Sequence, residues 1–448
     1  MKTFEDLALS KPLYKSIADL DFISPTPIQS EVCPVILSGR NLVGIAQTGT
    51  GKTLAYLLPL LRDLKYADQI PPRILILVPT RELVLQVVDQ VKLLTTYMST
   101  RVLGVYGGAN INTQKLEVVK GCDILVATPG RLYDIAMHGA LKLKSIKKLV
   151  IDEVDVMLDL GFRYQLTNIF DLLPERRQNL MFSATMTVEV DELINDFFVA
   201  PVKISIAVSG TPLDNISQVS YSVKNFYTKV NLLSYLLEDS EIFKKVLVFV
   251  SSKKGADRLF LALEERYGNE LCVIHSNKSQ NYRFRSIKQF DEGVNRILIT
   301  TDVMARGLDL DKISHVINFD TPLFPENYMH RIGRTGRAEE EGKSILFFTQ
   351  KEEHAKEQIE KLMNYMVPII DFPAVVKVST QLTPEESPKV AEVHIKRAKD
   401  KDKTEKAFHD KTEKNKKTNQ GGSYLRKRKT YKKPKTRGDK NFNRRKKR

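Results

Sequence analysis

Short apolar runs alternate with helix-period stretches along most of the chain. In the first half the runs fall at 41–47, 74–79, 124–127, 149–151 and 180–183, each of strand length and bounded by polar or Gly-containing turns. Stretches with apolar positions every three to four residues follow, as at 53–61 and 82–94. Strand, turn and helix repeated in that order predict a parallel sheet covered by helices. The pattern breaks at SIAVSGTPLDN, 205–215, whose Gly, Pro and Asp read as a linker. It restarts with runs at 245–251, 271–275, 296–301, 313–318 and 343–349. The expected fold is α/β: a first domain over 1–205, a linker over 206–217, a second domain over 218–371 and an extension over 372–448.

Composition adds one decisive fact. The 448 residues suit two or three domains, and 42% hydrophobic residues suffice for globular cores. Lys and Arg number 70 against 54 Asp and Glu. Residues 396–448 hold 24 of these basic residues and 6 of the acids, leaving 46 against 48 elsewhere. All the basic excess therefore lies in that last segment. It is expected to be a disordered basic arm from about 396, because it cannot bury enough apolar surface to fold alone. Such an arm seeks phosphates with little sequence preference; the alternative is a passive solubiliser. Cys33, Cys122 and Cys272 are too few and too scattered for a disulfide framework or a zinc cluster. The opening MKTFEDLALSK lacks the apolar stretch of a signal peptide, and runs such as ILILV at 74–78 are too short to span a bilayer. The expectation is a soluble, cytoplasmic protein with no membrane partner.

Two strand ends carry chemistry. AQTGTGKT, 46–53, lies where a strand passes into a helix. Gly49 and Gly51 let the backbone wrap close to phosphates, with Ala46, Gln47, Thr48 and Thr50 completing the loop. The following helix aims its first N–H groups at the same place. Lys52 brings a positive charge to the β and γ phosphates, and the Thr53 hydroxyl suits Mg²⁺. Ala46 stands where the generic pattern has Gly. The second site is LVIDE, 149–153, an apolar strand ending in two carboxylates. Beside a phosphate loop, Asp152 is expected to hold Mg²⁺, partly through water, and Glu153 to orient or deprotonate the attacking water. Standing alone, the pair would be expected to cap the helix at 154–160.

A longer series of motifs follows in order, and together they resemble the DEAD-box ATP-dependent RNA helicases of superfamily 2. DEVD at 152–155 resembles the box itself, with Val154 for Ala. Phe4 and PTPIQ at 25–29 resemble the Q motif, which implies that Gln29 reads the adenine edge and Phe4 stacks on the base, with Phe22 also at the nucleotide. Pro79, Thr80 and Arg81 of PTREL, the pair Gly107 and Gly108, and Thr128, Pro129, Gly130 and Arg131 resemble motifs that bind RNA backbone. In the second half Gln280, Arg283, Thr301, Arg306 and Gly307 resemble further RNA-side motifs, and Asp309 is implied to touch the ATP ribose. Asp155, Ser183, Thr185 and His330 are implied to couple hydrolysis to unwinding. Arg334 and Arg337 of HRIGRTGR, 330–337, are implied to reach the leaving γ-phosphoryl group only when the domains close.

The resemblance spans roughly residues 1–371 and implies two tandem RecA-like domains with ATP and Mg²⁺ as cofactors. The short N-terminus and basic tail look most like bacterial members of the RhlE type. Three departures stand out: Val154, Asp21 where Gly usually precedes Phe22, and Ser276 where Gly usually follows the His. The acids are intact, so activity is expected to be kept. Loops of Gly, Pro and hydroxyls bind sugar and phosphate without a base code. The implied activity is therefore sequence-independent binding of single-stranded RNA and ATP-driven unwinding of short duplexes. The implied setting is RNA metabolism or ribosome assembly, with ribosomal or RNA-processing proteins as partners. An RNA-binding scaffold or annealing chaperone dominated by the arm, and a DNA translocase, are the competing classes. The catalytic acids and both arginines favour the enzyme.

Overall fold

Every strand pairing among the described residues is parallel, and the strands form two sheets. The computed structural model describes residues 3–46, 49–206, 216–302, 310, 312–336 and 342–387. The first sheet contains β1 (Leu42–Ile45), β2 (Ile74–Leu77), β3 (Val102–Val105), β4 (Ile124–Ala127), β5 (Lys148–Ile151), β6 (Gln178–Ser183) and β7 (Val202–Ser205), in the order β3-β4-β2-β5-β6-β1-β7. The second contains β8 (Ile216–Ser222), β9 (Val246–Phe249), β10 (Leu271–Ile274), β11 (Ile297–Thr300), β12 (His315–Asn318) and β13 (Gly342–Phe348), in the order β10-β11-β9-β12-β13-β8. Helices such as Lys52–Asp63, Arg81–Leu94 and Pro129–Met137 return the chain from the end of one parallel strand to the start of the next in sequence, skipping over intervening strands of the sheet.

Alternation along the strands builds a core on each face of the first sheet. Leu42, Ile76, Val126, Val150, Leu180 and Phe182 face one helical layer. Val43, Leu75, Leu125, Leu149, Ile151 and Met181 face the other. Double-sided burial is why these strands read as continuous apolar runs. The three strands that the apolar pattern misses, β3, β7 and β8, are all edge strands. Each is partly exposed, so its sequence lacks that run. One boundary needs correction: β8 begins at Ile216, inside the expected 206–217 linker. Residues 207–215 lie outside the described residues, as does everything from 388 onward, including the expected basic arm. Among the described residues, no helix is long and apolar enough to cross a membrane.

The expected extension does not leave the second sheet at 371. Ser220 N donates to Pro368 O at 2.7 Å, and Ile370 N donates to Ser220 O at 2.8 Å, so the chain adds a bridge to the edge strand β8. Further on, Asn231 Nδ2 donates to Lys377 O (2.7 Å) and Asn225 Nδ2 to Ser379 O (2.6 Å). The strap ends with Glu386, whose Oε1 accepts from Phe226 N at 2.7 Å, at the start of the Phe226–Leu236 helix.

One buried charge ties the carboxyl ends of the second sheet together. Lys229 is 2% exposed, and its Nζ lies 2.8 Å from Glu352 Oε2 and 3.3 Å from Asp320 Oδ1. Asp320 also accepts from Ser251 N and Oγ, both at 2.9 Å. Removing the ammonium leaves two partly buried carboxylates facing each other without a counter-charge. Lys229→Met is therefore expected to cost roughly 3 kcal/mol of stability, read as a shift in the urea unfolding midpoint.

Candidate active site

Strands that all run the same way put the loops after their carboxyl ends on one rim of the sheet. Strand order then sorts those loops by content. Neighbours β5, β6 and β1 carry 152–155, 183–185 and the 46–53 loop. Neighbours β3, β4 and β2 carry 107–108, 128–131 and 79–83. Register finishes the placement. Ala46 N donates to Ser183 O at 3.1 Å, and Asp152 N donates to Leu77 O at 3.0 Å.

In the phosphate loop, Gly51 caps the Lys52–Asp63 helix with φ of 85°, a conformation that favours glycine. A Cβ on Gly51 would also run into Gln29 Nε2. Gln29 is itself buried; its Oε1 accepts from Thr26 N at 3.0 Å, capping the Pro27–Leu37 helix, and its Nε2 donates to Gly51 O at 3.2 Å. The side chain thus pins the loop to that helix. An amide still holds a second proton and further lone pairs for an adenine edge. Lys52 is buried, and its Nζ has no hydrogen-bond partner among the described residues. A buried ammonium of this kind is costly without an anion, and a phosphate fits it. Gln47 and Thr48 lie outside the described residues.

Phe4 does not present a stacking face. It is buried in the core with Leu7, Leu13 and Ile28, because the Phe4–Leu7 turn folds inward. Phe22 is 43% exposed and is the aromatic with an open face. Asp21 before it has φ of 56°, so it occupies the left-handed conformation for which the usual Gly is suited and which Asp tolerates. Ser276 is not among the residues with positive φ, so the second departure from Gly carries no such strain.

The acidic strand end holds three buried carboxylates in three environments. Asp152 Oδ2 accepts from the Tyr56 hydroxyl and Oδ1 from Glu153 N, both at 3.0 Å. Burial pushes its carboxyl up to about 6, helped by the Glu153 charge and opposed by Lys52 and Tyr56. Glu153 has φ of 52° and ψ of 51°, and its Oε2 has no partner among the described residues. Asp155 is the opposite case. Its Oδ2 accepts from Thr185 Oγ1 (2.9 Å), Thr185 N (3.0 Å) and Ala184 N (3.2 Å), and its Oδ1 from Val156 N (3.0 Å). Burial raises its carboxyl, but His330, Lys52 and Thr185 outweigh that and hold it well below the usual carboxylate range. Stability from a carboxylate so lowered is present above the ordinary Asp value and is lost only in strong acid. Val154 points away from these acids into the core beside Met157 and Leu158.

Among the described residues, the sheets' lobes meet at Asp155 and at Glu82. His330 Nε2 lies 3.4 Å from Asp155 Oδ2, close but not a well-aligned hydrogen bond. Glu82 Oε1 accepts from Gln280 Nε2 at 3.1 Å and lies 3.1 Å from Arg283 Nη1. Gln280 and Arg283 were expected on RNA; their polar ends are instead turned onto this first-lobe carboxylate, with Arg283 also donating to Gln280 Oε1. Arg334 is buried, and its Nε donates to His330 O at 3.3 Å. Thr301 is buried at the end of β11. Arg306, Gly307, Asp309 and Arg337 lie outside the described residues.

The remaining loops touch one another. A Cβ on Gly108 would run into the Arg81 guanidinium, so these two motifs are in contact. Arg131 donates through Nη1 to Gln114 Oε1 (2.7 Å) and through Nη2 to Ala109 O (3.0 Å). Thr80 caps the Arg81–Leu94 helix by accepting from Leu83 N, and Thr128 precedes the Pro129–Met137 helix. Pro79 is buried and Gly107 and Gly130 are partly exposed. Sequence reasoning missed Tyr56, and it gave no role of their own to Glu82 of PTREL and Arg331 of HRIGRTGR. The last is buried at 1% exposure, with its Nε and Nη2 on Asp302 (2.5 and 2.9 Å), and so braces the turn after β11. No motif marks Tyr56.

Comparisons with known proteins agree with this arrangement. The family model described as DEAD/DEAH box helicase matches residues 26–193, and the helicase conserved C-terminal domain matches 228–339. The chain is 36% identical over 373 residues to the DEAD-box ATP-dependent RNA helicase RhpA of Helicobacter pylori, covering 83% of this chain and 75% of that one. It is 37% identical over 372 residues to the ATP-dependent RNA helicase DeaD of Buchnera aphidicola, spanning 83% of this chain but 61% of that protein's length. Among solved structures, Saccharomyces cerevisiae Dbp5 bound to RNA and ADP BeF3 superposes with a TM-score of 0.76 at 29% identity, covering 83% of this chain and 96% of that one. Mss116p bound to single-stranded RNA and AMP-PNP gives 0.77 at 26% identity, covering 83% and 80%.

Asp155→Asn tests the most heavily bonded of the three carboxylates at this strand end. An amide turned either way sets N–H against N–H and strands buried donors, at about 1–3 kcal/mol each. A lower melting temperature is expected, together with loss of RNA-stimulated hydrolysis while nucleotide binding survives.

Proposed function

Because the chain belongs to the DEAD-box family of ATP-dependent RNA helicases, we propose that it binds ATP at the 46–53 loop, holds single-stranded RNA on the 79–83, 107–108 and 128–131 rim, and unwinds short duplexes locally. The observation that carries this reading is the Asp155 carboxylate, bonded to Thr185 and facing His330 of the second lobe. That contact gives hydrolysis in one lobe a path to the position of the other.

In this reading the backbone of Gly49 and Gly51, the Lys52 ammonium and the start of the Lys52–Asp63 helix bind the phosphates. Thr53 and Asp152 would hold Mg²⁺, which supplies charge neutralisation on the phosphates. Glu153, buried and with a carboxylate oxygen unpartnered among the described residues, orients the attacking water and takes its proton. Phe22 and Gln29 receive the adenine. Arg334, with Arg337 beyond the described residues, supplies positive charge to the leaving phosphoryl group. RNA is bound through sugar and phosphate, because the rim offers helix starts, glycines and the guanidinium groups of Arg81 and Arg131 rather than base-reading side chains. The proposed setting is the cytoplasm, with ribosomal or RNA-processing proteins as partners; the basic residue excess at 396–448 supports the RNA itself as a partner, because it suits a polyanion.

Glu153→Gln keeps the shape and removes the base. It is expected to abolish RNA-stimulated phosphate release while ATP and RNA still bind. Phosphate release near the wild-type rate would sink the assignment. A chain truncated after Ser387 is expected to retain RNA-stimulated hydrolysis but to bind RNA more weakly and with less salt dependence. Single-strand affinity falls with log salt at about −0.7 per phosphate neutralised, so an arm engaging about six phosphates adds about −4 to the slope. Titrating both chains with one hairpin RNA across salt reads the difference directly.

A further inference from the structure

Tyr56 belongs to none of the motifs above. It lies one turn after Thr53 on the Lys52–Asp63 helix and is fully buried. Its hydroxyl donates to Asp152 Oδ2 at 3.0 Å. One side chain from the helix that carries Thr53 therefore touches the carboxylate assigned to Mg²⁺.

The phenol is held in place by packing. Phe182 on β6 lies against it with ring centroids 5.2 Å apart and planes tilted by 46°. Phe182 has that seat because residue 44 on β1 is glycine: a Cβ there would lie 2.8 Å from the Phe182 ring. Gly44 admits Phe182, Phe182 fixes Tyr56, and Tyr56 fixes one oxygen of Asp152. The other oxygen accepts from Glu153 N at 3.0 Å, so the carboxylate plane is set from both sides. Each donor uses one lone-pair direction and leaves another for a cation or its water.

We propose that Tyr56 is a positioning residue that holds Asp152 in the orientation that binds Mg²⁺ with the nucleotide. The inference rests on the assignment of Asp152 to the metal. Tyr56 itself contacts neither nucleotide nor metal in this account. It acts through the carboxylate, whose last torsion would otherwise be held from the Glu153 side alone.

Tyr56→Phe removes the hydroxyl and keeps the ring. The test titrates Mg²⁺ against binding of a fluorescent adenine nucleotide, with thermal unfolding measured in the absence of both. The half-saturating Mg²⁺ concentration is expected to rise roughly tenfold, as suits the loss of a hydrogen bond to an ionised acceptor. RNA binding without nucleotide should be unchanged, and high Mg²⁺ should restore much of the turnover. Phe182→Leu keeps the hydroxyl but loosens its seat, and should shift the Mg²⁺ curve the same way by less. A lower melting temperature with superimposable Mg²⁺ curves in both variants would show a merely structural role and overturn the inference. Wild-type binding that ignores Mg²⁺ would overturn the metal assignment, and the inference with it.

Discussion

Parallel pairing is the constraint from which the site follows. A parallel strand cannot be joined to its neighbour by a tight turn, so each crossover returns the chain and every loop after a strand opens on the same rim. The rim then inherits the spatial order of the strands. In the first sheet β1, β5 and β6 collect the phosphate loop, the carboxylates and Thr185, while β2, β3 and β4 collect the Gly- and Pro-containing loops with Arg81 and Arg131. Residues more than a hundred positions apart, such as Ala46 and Ser183, become hydrogen-bonded neighbours through register alone.

Within that rim, the carboxylates are told apart by their donors. Asp155 accepts from four groups and faces His330, so it is committed to structure between the lobes. Asp152 is braced by one hydroxyl and one amide. Glu153 is left with an oxygen unpartnered among the described residues, on a backbone in the left-handed region that costs a non-glycine residue about 1–2 kcal/mol. A cost of that kind, in a buried residue, persists only where the surroundings impose it. Here the strand before it and the helix after it do so, and they turn the side chain off the strand axis. Glu82 adds a second joint of the same kind, one first-lobe oxygen shared by Gln280 and Arg283.

Much of this was legible in the chain before any coordinates. Centrally placed strands such as β2, β4 and β9 are buried on both faces, and burial writes itself as an apolar run. Edge strands β3, β7 and β8 are not, and the run disappears with the burial. Contiguous motifs like 46–53 were legible because phosphate binding needs backbone and side chains from one turn. Phe4 was misjudged because an aromatic signals apolar surface without saying which way it faces. The contacts of Tyr56, Glu82 and Gln280 were not legible for one reason: their partners are far along the chain, at Asp152, Arg283 and Glu82, and only the folded register names them.

The two lobes repeat one plan, with β8 standing beside β13 as β1 stands beside β6, and each followed by a helix at its carboxyl end. In the first lobe that helix begins at Gly51 and Lys52, whose ammonium has no bonded partner among the described residues. In the second, Glu386 already sits on the first N–H of the Phe226–Leu236 helix, and the lysine of that helix is neutralised by Asp320 and Glu352. At the duplicate corner that N–H is taken by the chain's own acid, tethered at an effective concentration that a free anion does not match. A cavity of about 670 Å³ lined by Lys229, Ser251, Asp320 and Glu386 stays open beside it. Among the described residues, two lobes of common design therefore differ in charge at matched corners: one presents an unpartnered ammonium, the other a lysine and a helix start already met by carboxylates.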